Sequence, residues 1–322
     1  MNKDKKKKII IVGIIIICVI ILIISSIFYF KHINSTNYKL KKLGYTEEEI
    51  QVILNKTDII DLALSEYNSN LVKLITNKYF MINRLNRYLN YSKEHTKTDI
   101  NRIVSIVNAN MDKEIYTDVK TVFQNDNLVI VNRFYKLESA AKPDDLKNVS
   151  IQYAYDGHML KEEVNTAYIK MAKTAKANGL TLIANVSYRS YDDQEKTYNS
   201  FRSRYGQTKA DELAARAGHS EHQTGLALNI STRLKEGESS FEDTDEYTWL
   251  LNNAHNYGFI QRYPKDKEDI TGFTFEPGHF RYVGIDIATK IYNENITFDE
   301  YYAYYLENSI KWGELWKKFY YF

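Results

Sequence analysis

Residues 218–230 read Gly218-His219-Ser220-Glu221-His222-Gln223-Thr224-Gly225-Leu226-Ala227-Leu228-Asn229-Ile230. Two histidines, a carboxylate, a hydroxyl and a small-residue turn stand together here. A second run, Phe275-Glu276-Pro277-Gly278-His279-Phe280-Arg281-Tyr282, follows later in the chain. Hydrolases that use zinc need about three protein ligands, an open position for water and a nearby base. His222 and His279 are two candidate ligands, and Glu276 is a candidate base that takes a proton from water and returns it to the leaving amine.

Around these runs the sequence alternates short apolar strands with helices. Leu128-Val129-Ile130-Val131 is β-branched and predicts a buried strand. Residues 161–178 carry Val164, Ala167, Tyr168, Met171 and Ala175 on one helical face, and Gly179 ends the helix. Residues 180–186 predict a strand leading into Ser187-Tyr188-Arg189-Ser190, followed by a helix over 192–205. A helix over 247–257 ends at Gly258. Strands over 259–263 and 273–275 and a closing helix over 285–292 complete the pattern. The mixture indicates an α+β fold, a small mixed sheet with surrounding helices.

The N-terminal part has a different texture. Residues 9–30 contain no charge, enough as a helix to span a hydrocarbon core of ~30 Å. Lys3, Lys5, Lys6, Lys7 and Lys8 against Asp4 leave residues 1–8 at +4, so the remainder of the +2 chain carries −2. The basic cluster places the N-terminus in the cytoplasm and the body outside. The apolar run is longer than the ~7–15 residues of a signal peptide, so an uncleaved anchor is expected. A slightly acidic body argues against nucleic acid as a partner. The single cysteine, Cys18, lies in the apolar run, which excludes an intrachain disulfide and a cysteine nucleophile in the body. Residues 31–125 predict a helical spacer: Thr46-Glu47-Glu48-Glu49 is a capping box, Ile50, Ile53 and Leu54 follow at helical spacing, Ile59, Ile60, Leu62, Ala63 and Leu64 begin a further run, and Ile100, Ile103, Val104 and Val107 form an amphipathic stripe. The expected organisation is a basic tail (1–8), a membrane helix (9–30), a spacer (31–125), a catalytic-type domain (126–310) and a tail (311–322).

The two central runs resemble those of the VanY-type D-alanyl-D-alanine carboxypeptidases, within the broader D-Ala-D-Ala and L,D-carboxypeptidase zinc peptidases. That family's first motif is Ser-x-His with Asp seven residues later, and its second is Glu-x-Trp-His. Ser220-Glu221-His222 and Glu276-Pro277-Gly278-His279 carry the match, supported by Ser187-Tyr188-Arg189-Ser190 with Gln194, Tyr257-Gly258-Phe259, Arg262-Tyr263-Pro264 and Arg281-Tyr282-Val283-Gly284. The resemblance implies a D-Ala-D-Ala carboxypeptidase-like fold, zinc held by His222 and His279, Glu276 as general base, Arg189 over the substrate carbonyl, and Ser220 bonded to the end of a peptidoglycan stem peptide. Gln194 is expected to support the Arg189 loop as well as border the substrate. Two positions depart from the pattern. Asn229 stands where the family has its aspartate ligand, and its neutral carbonyl oxygen is expected to hold metal more weakly. Gly278 replaces tryptophan and is expected to remove an aromatic wall from the pocket. Two readings follow: an active zinc carboxypeptidase, or a silent relative that binds muropeptide or an envelope partner. Terminal D,D and L,D bonds both remain open as substrate.

Other histidines have plainer readings. His219 is expected to be a structural hydrogen-bonder, His255 a satisfied helix residue, and His158 a turn residue. Ser139-Ala140-Ala141-Lys142 matches Ser-x-x-Lys, but Pro143 follows directly and no Lys-Thr-Gly occurs, so a serine mechanism is set aside.

Overall fold

The computed structural model describes residues 3–56, 66–124, 126–234 and 240–307. The apolar run 59–64 and the tail 311–322 lie outside these residues. The chain divides into two units, Met1–Val104 and Ser105–Phe322.

The first unit opens with helix α1 (Lys3–Ile33), whose segment Ile11–Ile33 has a mean hydropathy of 3.4 and is long and apolar enough to cross a membrane. Helix α2 (Thr36–Leu43) starts at the Ser35 cap and stops at Gly44. Helix α3 (Glu47–Lys56) begins with the expected capping box: the Thr46 amide donates to Glu49 Oε2 (2.9 Å), and the Glu49 amide to Thr46 Oγ1 (3.2 Å). Helices α4 (Leu71–Thr76) and α5 (Leu85–Glu94) follow. Leu40, Ile50, Ile53, Leu71, Leu74 and Ile75 are buried. Helix α6 (Ile100–Asn108) buries Ile103, Val104 and Val107, the apolar stripe read from sequence.

The second unit contains two small strand pairs and one larger sheet. Strands β1 (Lys120–Thr121) and β2 (Tyr135–Lys136) pair in parallel, and β3 (Leu146–Asn148) and β4 (Met159–Lys161) antiparallel. Helix α7 (Glu162–Ala177) turns its Val164, Tyr168, Met171 and Ala175 face into the main core. Strand β5 (Ile183–Val186) leads to helices α8 (Tyr191–Tyr205) and α9 (Gln207–Leu213), then to β6 (Ala227–Ser231). Helix α10 (Asp245–Asn253), strand β7 (Phe259–Gln261), helix α11 (Glu268–Thr271), strand β8 (His279–Tyr282), and helices α12 (Ile285–Glu294) and α13 (Phe298–Tyr301) complete it. The sheet runs β5-β6-β8-β7, all antiparallel. Leu228, Ile230, Phe280 and Tyr282 from its strands join the α7 core.

Two expected strands are corrected. Val129, Ile130 and Val131 are buried as predicted, but residues 128–131 form no strand. A fully buried cation serves this backbone instead: Arg281 Nη2 donates to the carbonyls of Asn127 and Val129 at 2.9 Å each. Residues 273–275 are likewise irregular. Single backbone bonds hold them, from the Thr274 amide to Glu212 and from the Glu276 amide to Tyr263, and the strand begins after the turn, at His279.

Candidate active site

The spacing of the first motif follows from local geometry. Ser220 caps a short 3₁₀ turn, Glu221–Thr224, its Oγ accepting from the His222 amide at 3.4 Å. Gly225, at φ +66°, reverses the chain into β6. A Cβ there would meet the Leu146 side chain at 3.0 Å and Lys161 at 3.2 Å, so both conformation and space call for glycine. β6 then carries Asn229 to a position opposite His279 of β8, with Val186 of β5 on its other side. A turn, a glycine and part of a strand thus account for the seven-residue spacing from His222 to Asn229.

The two imidazoles lie with ring centres 4.9 Å apart, and both rings are buried. His222 Nδ1, Asn229 Oδ1 and His279 Nε2 are buried and have no hydrogen-bond partner among the described residues. Burial pushes the His222 imidazole well below the usual histidine pKa, and the His279 and Arg189 charges add to this, so its lone pair is available to a metal. Glu276 closes the group from the turn before β8: its Oε2 is 3.2 Å from His279 Nδ1, and its side chain is 31% exposed, leaving it open to water.

Arg189 follows β5, and its amide donates to the His222 carbonyl at 3.1 Å, tying the two motifs together. Its Nη1 donates to Gln194 Oε1 at 2.9 Å, and Gln194 Nε2 donates to the Ala215 carbonyl at 2.7 Å. Gln194 therefore fixes the guanidinium. Burial lowers the Arg189 pKa, while the Glu276 and Asp193 carboxylates oppose the shift.

Arg189, Gln194, Ser220, His222, Asn229, Glu276 and His279 all line one cavity of about 410 Å³. Every site residue named from sequence is therefore brought together. Sequence reading missed the other walls: Thr197 and Phe201 from α8, with Tyr263, Phe273 and Phe275. The amphipathic pattern of α8 was the available signal for the first two. Gly278 has a packing role beside the sheet. This residue does not line the cavity, and a Cβ on it would meet the Ile230 carbonyl oxygen at 2.6 Å. Its missing side chain makes room for the β6 backbone, and the aromatic walls come from Tyr263, Phe273 and Phe275.

The donor set can be tested for metal directly. Among the described residues, no group of three or more His, Cys, Asp or Glu is disposed to hold a metal ion. The reason is Asn229: two imidazoles and a neutral amide oxygen supply three donors without the carboxylate charge. Three buried polar atoms without hydrogen-bond partners in one pocket nonetheless fit a cation, since buried polar atoms are otherwise nearly always satisfied.

Glu221 cannot replace the missing carboxylate. It is fully buried and does not line the cavity: its Oε1 accepts from Arg262 Nε and from Arg281 Nη1 at 2.8 Å each, while its Oε2 lies 3.9 Å from His279 Nε2. Burial opposes its ionisation, but Arg262, Arg281 and His279 together outweigh this and hold its pKa below the usual carboxylate value. Arg262 also donates to both oxygens of Asp299, at 2.6 and 3.2 Å, and Asn132 Nδ2 donates to Asp299 at 2.8 Å. The plainer histidines are also placed. His219 Nδ1 is 2.7 Å from the Asn132 carbonyl, His158 Nδ1 is 2.9 Å from Ser187 Oγ, and His255 stacks on Tyr292.

Comparison with known proteins agrees with the geometry. Residues 157–285 match the family model of VanY, D-alanyl-D-alanine carboxypeptidase. The protein YodJ of Bacillus subtilis (strain 168) is 37% identical over 205 residues, covering 60% of this chain and 75% of that protein. The structure of the LD-carboxypeptidase LdcB is similar at 36% identity and a TM-score of 0.53, covering 60% of this chain and 92% of that chain. The vancomycin resistance D,D-pentapeptidase VanY of a VanB-type cassette, solved in complex with Zn(II), is 32% identical over 54% of this chain and 98% of that one, with a TM-score of 0.48. The chain belongs to the VanY D-alanyl-D-alanine carboxypeptidase family.

Proposed function

We propose that this chain is a membrane-anchored zinc carboxypeptidase that removes C-terminal D-alanine from peptidoglycan stem peptides outside the cell. The observation that carries this reading is the set of unpaired donor atoms on His222, Asn229 and His279 in the cavity that also holds Glu276 and Arg189. These three residues would hold the metal, with Asn229 contributing its side-chain oxygen. Bound zinc lowers the pKa of water and polarises the scissile carbonyl.

Glu276, open to solvent at the cavity, takes a proton from the attacking water and returns it to the leaving amine of D-alanine. Arg189, held by Gln194, faces the charge that develops on the carbonyl oxygen. Ser220 offers its hydroxyl to the end of the peptide. The apolar helix α1 and the lysines before it support anchoring with the N-terminus in the cytoplasm.

The test is D-alanine release by the purified full-length chain in detergent, with zinc supplied, from a stem pentapeptide and a stem tetrapeptide. Release from either that is lost on chelation supports the reading, and the preferred peptide identifies the bond as D,D or L,D. No release from either at saturating zinc rejects it in favour of a silent binding protein.

A further inference from the structure

One wall of the cavity, between helix α9 and the 3₁₀ turn, is a short irregular segment fastened from behind. Leu213, Ala214 and Ala215 line the cavity, and Gln194 Nε2 donates to the Ala215 carbonyl at 2.7 Å. The next residue, Arg216, does not line it. Its guanidinium turns back on α9, where Nε and Nη2 donate to the two oxygens of Asp211 at 2.9 and 2.8 Å. Tyr198 donates its hydroxyl to the same carboxylate at 2.8 Å, and Arg216 Cζ lies 3.9 Å from the centre of the Tyr116 ring. Gln194 and Tyr198 are one turn apart on α8, and both are buried. Helix α8 therefore holds the segment at both ends, and Arg216 closes the segment on itself.

We propose that Arg216 is a positioning residue: its clamp on Asp211 sets the Ala215 carbonyl that orients Gln194 and, through it, Arg189. The proposal rests on the reading of Arg189 as the group that faces the charge developing on the scissile carbonyl. The two ends of a glutamine amide are alike in shape and opposite in hydrogen-bonding character. A carbonyl only accepts, so Ala215 draws the Nε2 end, and Oε1 is left facing Arg189 Nη1. If the Ala215 carbonyl is not fixed, nothing selects that orientation, and the reversed amide sets a donor against a guanidinium. Two parallel bonds define the place of Arg216 as a point charge on a flexible stem does not. The Asp211 side chain is only 8% exposed, so this is not one of the solvated surface pairs that contribute little.

Arg216→Met removes the fork and keeps the stem against Tyr116. It should lower kcat for D-alanine release by about 10–100-fold, as a small misplacement of a reacting group does, with KM near wild type. Gln194→Ala separates positioning from packing. If Arg216 acts through Gln194, Arg216→Met costs little more once Gln194 is gone, whereas a purely structural arginine costs the same in both backgrounds. Arg216→Lys keeps the charge and the stem but not the fork, and should fall between the methionine variant and wild type. Lys209→Met is the control: it removes a 2.6 Å pair with Glu212 on the same helix, and neither residue lines the cavity.

A second readout needs no activity. The full-length chain in detergent, labelled with ¹⁵N-arginine, reports Arg189 through its Nη protons, assigned by their loss in Arg189→Lys. A guanidinium held by Gln194 gives separate signals, and a free one gives a single averaged signal. We expect separate signals in wild type and in Lys209→Met, and averaging in Gln194→Ala and Arg216→Met. An averaged signal in wild type or in Lys209→Met, or separate signals in Arg216→Met, overturns the proposal. So does an equal loss of kcat on adding Arg216→Met to wild type and to Gln194→Ala. An Arg216→Lys chain that matches wild type in both readouts overturns it even if Arg216→Met fails to fold. A wild type that releases no D-alanine rejects the proposed function, and the Arg189 signals then decide the positioning alone.

Discussion

Two polar clusters lie back to back in the second unit, and they are finished differently. Behind the cavity, Arg262, Arg281, Glu221, Asp299 and Asn132 are buried and joined by bonds of 2.6 to 3.2 Å. In the cavity, His222 Nδ1, Asn229 Oδ1 and His279 Nε2 are buried with nothing to bond. The first cluster pairs its charges internally, only Glu221 Oε2 being left without a hydrogen bond among the described residues, and ties β8, the residue after β7 and the 3₁₀ turn together. The second leaves its valences open, as a site built to receive something does. Glu221 and His222 are adjacent in sequence and sit one in each cluster. The rigid charged cluster is thus the mounting on which the unsatisfied one is held.

This contrast can be broken from either side. On the cavity side, Glu276→Gln should lower the rate of D-alanine release by about 100- to 10,000-fold, the usual worth of a general base, while the midpoint of thermal unfolding stays near wild type. A variant that keeps near-normal release would remove Glu276 from the chemistry. On the mounting side, Arg281→Ala strips Glu221 of one cation and leaves the Asn127 and Val129 carbonyls unpaired. Removing one partner from a buried pair of this kind costs about 3–5 kcal/mol. Denaturant unfolding measures this, and a loss below 1 kcal/mol would mean that the cluster does not support the fold.

Arg189→Ala sharpens the comparison within the cavity. It should reduce kcat by about 100- to 1,000-fold, as loss of a group stabilising developing negative charge does. A change confined to KM would show instead that Arg189 only binds substrate. The smallest effect is expected at Gly278→Ala, where the added methyl meets the Ile230 carbonyl and should cost about 1–3 kcal/mol of stability. Unchanged stability would show that β6 yields there, and that tryptophan at this position could be accommodated.

Much of this was legible in the sequence because the motifs combine chemistry with turn geometry. His222, Asn229, Glu276, His279, Arg189, Ser220 and Gln194 were all identifiable, and all line one cavity. The helices α3, α7, α8 and α12 were legible from capping residues and apolar faces. What failed was reading isolated apolar runs as strands. Residues 128–131 have strand composition and strand burial, but the guanidinium of Arg281, 152 residues beyond Val129 and invisible to any local pattern, takes carbonyls that a neighbouring strand would take. The packing constraint at Gly278, the β6 backbone passing beside it, was not legible in the sequence. Glu221 was legible only as a nearby acid. Its orientation depends on two arginines brought in from β8 and from the residue after β7.

The proposed activity requires that a neutral Asn229 complete a working zinc site. The most direct measurement is zinc content and D-alanine release of the full-length wild type beside Asn229→Asp. Wild type is expected to bind zinc and release D-alanine, and Asn229→Asp to bind zinc about 10–100-fold more tightly. A wild type that neither binds zinc nor releases D-alanine, while Asn229→Asp gains both, would contradict it.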